Sequence, residues 1–152
     1  MAVVSELNNN KNIKKIIIFE SDPILLDILK KHWNFEEKYE KEIQSGRIIL
    51  SISQNLNEFL NDFKSKNILF DAAFLCRNEN EDSLINHYDK NFYNILFSVL
   101  NTESSFAQKI ENLERSKLFE ENIKENGFKS SNISVIDVPD QDTKLVALVG
   151  HK

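Results

Sequence analysis

Two carboxylates stand two residues apart where a β-branched run ends. Lys14-Lys15-Ile16-Ile17-Ile18-Phe19 leads directly into Glu20-Ser21-Asp22-Pro23. Asp22 has a clear local use: it suits a helix N-cap, and Pro23 suits the first helical position. Asn55, with Glu58 three residues on, has the spacing of a capping box with Asn as the cap. Cys76 is the one thiol, so no internal disulfide forms, and its ordinary role is a small buried side chain ending a strand. His32, His87 and His151 share no metal-ligand spacing with Cys76, and nothing reads as a Ser/His/Asp hydrolase signature. No metal site is expected. The three glycines, Gly46, Gly127 and Gly150, lie far apart. A phosphate-cradling loop needs glycines close together, so a self-contained Walker or dinucleotide fingerprint is excluded.

The elements that must position these residues alternate. The run 14–19 reads as a strand, followed by a helix in which Leu25, Leu29 and Trp33 repeat at helical spacing. Residues 34–46 are charged and read as a loop or short solvated helix, with Glu36–Glu42 an exposed face. Arg47–Ser53 reads as a second strand. Leu56, Phe59, Leu60 and Phe63 then mark a core-facing helix. Ile68–Cys76 is apolar except for Asp71, the pattern of a strand covered on both faces. Tyr88, Phe92, Ile95, Leu96 and Val99 mark a further helix, and Tyr88, Phe92 and Tyr93 read as core or groove-lining aromatics. A weak strand at 104–108 and a helix from about Glu114 to Asn126, closed by Gly127, come next. Ile133–Val138 and Lys144–Gly150 form a hairpin about Pro139-Asp140-Gln141-Asp142. Strand–helix alternation followed by an antiparallel pair gives an α/β, three-layer, mostly parallel sheet.

With 152 residues, 41% hydrophobic and 28% charged, the chain has the composition of one globular domain, expected over 1–152. Its formal charge of −5 argues against a general polyanion binder, so no nucleic-acid partner is expected. The first fifteen residues lack a signal peptide's apolar stretch, and no run approaches the ~20 apolar residues of a membrane helix. A cytoplasmic location without membrane attachment is the expectation.

The segments Val3–Trp33, Arg47–Leu60, Phe70–Cys76, His87-Tyr88-Asp89-Lys90-Asn91-Phe92-Tyr93 and the closing hairpin together resemble the Rossmann-like domain of spermidine synthases. More broadly, they resemble S-adenosylmethionine-dependent methyltransferases. The resemblance implies an acidic residue at the end of the family's second strand that holds ribose hydroxyls, here Glu20, with Asp22 beside it. It implies that Gln54-Asn55 stands where the family has a Gly-Asp pair contacting adenine, and an amide can still bond an adenine amino group. It places Cys76 where aminopropyltransferases have the Asp that deprotonates the attacking amine, with Glu79 at a second acidic position of that loop. A thiol is a poor replacement for a carboxylate base. The implied ligands are S-adenosylmethionine, its decarboxylated form or methylthioadenosine.

The resemblance also implies that the family's first strand and glycine-rich loop precede Val3, with residues 1–12 a polar leader or the remnant of the first helix. That strand lies centrally in the family's sheet. The expectation is therefore a methyltransferase-type sheet lacking its N-terminal strand. Such a degenerate, non-catalytic domain would act as a binding or assembly subunit, its incomplete sheet covered by a second copy or a different partner. The alternative is an active aminopropyltransferase or methyltransferase, as a fragment or a two-chain enzyme serving polyamine biosynthesis. Residues 15–33 also look like the opening of a response-regulator receiver, but the terminal hairpin and the long 34–46 insertion depart from that pattern.

Overall fold

The β-branched runs become strands and the apolar 3.6-residue repeats become helices. The computed structural model describes residues 2–52, 55–75, 88–110, 113–137 and 144–152. Its contacts group into two units, Met1–Leu56 and Asn57–Lys152.

The first unit contains α1 (Ala2–Asn9), β1 (Ile16–Glu20), α2 (Pro23–Trp33), α3 (Phe35–Lys38), α4 (Glu40–Gln44) and β2 (Ile48–Ile52). The two strands pair in parallel, from Ile16 opposite Ile48 to Glu20 opposite Ile52. Ile16, Leu26, Leu29, Phe35, Tyr39 and Ile48 form its buried core. Two expectations are corrected here. The buried stripe of α2 is Leu26 and Leu29, whereas Leu25 and Trp33 are exposed. The charged stretch 34–46 is two short helices, and Tyr39 inside the acidic run is buried against Phe35, their rings 5.0 Å apart. Phe35 and Tyr39 are four residues apart, so one turn of helix carries both inward while the glutamates stay in water. The Arg47 guanidinium binds the Asn8 side chain and donates to the carbonyls of Asn8, Asn10 and Ile13, tying α1 and its exit to the start of β2.

The second unit holds nearly all of α5 (Leu56–Ser65), then β3 (Phe70–Leu75), α6 (Lys90–Val99), β4 (Leu100–Ile110), α7 (Leu113–Glu125), β5 (Ser130–Asp137) and β6 (Lys144–His151). Its strand order is β3-β4-β6-β5, with β3 parallel to β4 and the other two pairings antiparallel. The expected terminal hairpin is present in its strands, and its turn lies outside the described residues. The weak strand expected at 104–108 is an eleven-residue strand. Ser104, Phe106, Gln108 and Ile110 are all buried, the period-two alternation of a strand with one face in a core. Between the pairs Phe70–Leu100 and Ala72–Ser105, β4 spends five residues against two, and Glu103 absorbs the bend at φ 66°.

The core of this unit is aromatic. Tyr93 packs near Phe106 and Phe119, and Phe128 meets both Phe97 and Phe106 edge-on. Gly150 is required by close approach: a Cβ there would lie 2.3 Å from the Phe106 ring. Among the described residues, no helix is long and apolar enough to cross a membrane.

Candidate functional site

Parallel pairing brings the carboxyl ends of β1 and β2 to the same side of their sheet, where ligands of open α/β sheets sit. Glu20 is the last residue of β1 and is half-buried. Its Oε1 accepts the backbone N–H groups of Ser21 at 2.8 Å and Asp22 at 2.9 Å. The loop therefore folds back onto the carboxylate. Asp22 caps α2 as its sequence suggests, Oδ1 accepting from Ile24 at 2.8 Å and Leu25 at 3.4 Å. A carboxylate oxygen offers two lone pairs. Oε1 of Glu20 is thus filled by the loop, and Oε2 has no hydrogen bond among the described residues.

Asn55 directly precedes α5 and follows β2 by three residues, with Glu58 in the first turn. It belongs to the same unit as Glu20 and Asp22. The structure thus places three sequence-selected residues in segments leaving the carboxyl ends of paired strands. Cys76 and Glu79, like Gln54, lie outside the described residues, as does His87. Tyr88, Phe92 and Tyr93 are buried to 4% exposure or less and serve the core.

One polar residue was missed by sequence reasoning. Gln108 is 1% exposed and pairs in parallel register with Leu75, near the carboxyl end of β3. The Tyr93 hydroxyl donates to its Oε1 at 2.6 Å, an O–H···O length, while its Nε2 has no hydrogen-bond partner among the described residues. Burial pushes the Tyr93 phenol well above its usual range, against the opposing effect of that bond, so it stays a donor. The amide is therefore fixed with both N–H groups unspent. A buried amide without partners costs roughly 1–3 kcal/mol. The signal was available: Gln108 falls two residues from both Phe106 and Ile110, on their face.

A cavity of about 480 Å³ is lined by Glu36, Glu37, Glu40, Ile43, Gln44 and Leu50, and includes none of these site residues. Among the described residues, no group of His, Cys, Asp and Glu is arranged to hold a metal.

No protein-family model matches the sequence, and no curated protein matches it. Solved structures do. The chain is similar to spermidine synthase from Thermotoga maritima, with TM-score 0.75 and 16% identity over 97% of this chain and 49% of that one. It is similar to a spermidine synthase in complex with the transition state analogue AdoDATO, with TM-score 0.71, 16% identity, and coverage of 98% and 48%. A methyltransferase from Pyrococcus furiosus gives TM-score 0.64 and 14% identity over 99% of this chain and 69% of that one. The chain spans about half the length of the two synthases. This chain has the Rossmann-like, mixed α/β fold shared by spermidine synthases and methyltransferases.

Proposed function

We propose that this domain binds an adenosine-type nucleoside at the carboxyl ends of β1 and β2, as a non-catalytic binding or assembly subunit. The observation that carries the reading is Glu20. Its strand-end position, its loop-fixed orientation and its remaining Oε2 suit a ribose hydroxyl. Asn55 supplies an amide for the base, and Asp22 holds α2 in place. The similar synthase bound to AdoDATO supports an adenosyl ligand, with S-adenosylmethionine, its decarboxylated form and methylthioadenosine as candidates. Cys76 at the position of the base favours binding over transfer.

An assembly role is supported by the edges of the four-stranded sheet. The outer edge β5 is polar, whereas the other edge strand, β3, reads FDAAFL and carries Phe74 at 49% exposure. Edge strands are normally guarded by charges or proline. Asp71, paired with Asn101, is the single charge on β3.

Thermal unfolding of the full chain with methylthioadenosine or S-adenosylmethionine tests the binding. At a hundred times its dissociation constant a ligand adds about 2.7 kcal/mol, a rise of roughly 5–10 °C. No rise with either ligand rejects the reading. Transfer of a methyl or aminopropyl group by the purified chain would instead establish the active alternative.

A further inference from the structure

Among the described serines, most hydroxyls with a hydrogen bond give their proton to a weak base. Ser45, Ser65, Ser98 and Ser104 donate to the backbone carbonyls of Glu42, Asp62, Ile95 and Asn101. Ser131 donates to a Glu120 carboxylate oxygen. Ser105 differs. Its Oγ lies 2.7 Å from Nδ1 of His151, the ring nitrogen that accepts its proton when the imidazole carries hydrogen on Nε2.

The sheet fixes this pair. Ser105 on β4 stands directly opposite His151 on β6 in antiparallel register. Flanking backbone bonds, from Lys129 N–H to the His151 carbonyl at 2.8 Å and from Lys152 N–H to the Ser104 carbonyl at 3.0 Å, hold both strands at that point. Alternation puts Ser105 on the face opposite Phe106 and Gln108, away from the aromatic core. Both residues are only partly buried, and no hydrogen bond to His151 Nε2 is present among the described residues.

We infer that Ser105 is a nucleophile toward activated acyl esters, with His151 as its base. This site is separate from Glu20, Asp22 and Asn55, and the inference does not rest on nucleoside binding. In the step, Ser105 Oγ forms a bond to the acyl carbon and the ester C–O bond breaks. The alcohol or phenol oxygen departs with the bonding pair, and the serine proton passes to His151 Nδ1 and then to water. A nucleophile within hydrogen-bond reach of a base is the minimal arrangement for such chemistry.

The full chain is treated with p-nitrophenyl acetate, the nitrophenolate release is followed, and the acetyl group is located by peptide mass mapping. The expected result is a burst of one equivalent mapping to Ser105, absent in Ser105→Ala and slowed about a hundredfold in His151→Gln. Circular dichroism confirms that both variants are folded. No Ser105 adduct on the unaltered chain, acetylation confined to lysines, or an undiminished rate in folded His151→Gln overturns the inference.

Discussion

The two units spend their polar groups differently. In Asn57–Lys152 the amide of Gln108 is buried to 1% exposure and accepts from the Tyr93 hydroxyl. In Met1–Leu56 the strand-end carboxylates face loop backbone and water, and apolar side chains such as Ile24 at 70%, Trp33 at 50% and Ile52 at 60% remain exposed. The second unit buries its polar amide in an aromatic core, whereas the first keeps its strand-end carboxylates at the surface; both retain exposed apolar side chains, Phe74 among them in the second.

The contrast is sharpest if Phe106 is removed. Phe106→Ala takes out a ring that meets Tyr93 and Phe128, and should cost about 3–5 kcal/mol in urea unfolding. A cost under ~1 kcal/mol would break the picture of a consolidated second core.

Arg47→Ala probes the first unit in turn. It strips a charged donor from three backbone carbonyls and should cost about 1.5–3 kcal/mol. Hydrogen exchange should accelerate in α1 and leave β4 and β6 unchanged.

Tyr93→Phe should cost about 1–3 kcal/mol, because it leaves Gln108 Oε1 unpaired as well as Nε2. Its pH signature has a definite sign. The folded phenol keeps its proton well above the ordinary value of 10.0, so the unfolded chain releases it first. That stability is complete below pH 10 and falls as pH rises beyond it. The alkaline loss should be smaller in Tyr93→Phe, as measured by urea midpoints across that range.

The smallest effect is a gain. Glu103 holds φ at 66°, where a side chain is strained, and Glu103→Gly should stabilise by about 1 kcal/mol. A loss of stability would show that its side chain supports β4 in another way.

Much of the fold was legible because it obeys periodicity. The runs at 16–20, 48–52 and 70–75 are strands, Asp22 caps α2, and Gly127 sits beyond α7 at φ 90°. What escaped depended on tertiary packing. Tyr39 is surrounded in sequence by charge, and only its spacing from Phe35 hints at burial. Ser104 and Gln108 disguised β4 as a weak strand because polar residues on a buried face look like solvent-facing ones. The strand-end position of Glu20 was readable, but the capture of its Oε1 by two loop N–H groups was not, since it depends on the path of the turn.

Calorimetric titration of methylthioadenosine into the full chain and into Glu20→Gln isolates that carboxylate. Saturable one-site binding to the unaltered chain, weakened about tenfold or ~1.4 kcal/mol in the variant, is the expected result. Absence of binding to the unaltered chain, or equal affinity in both, would contradict a nucleoside held at the end of β1.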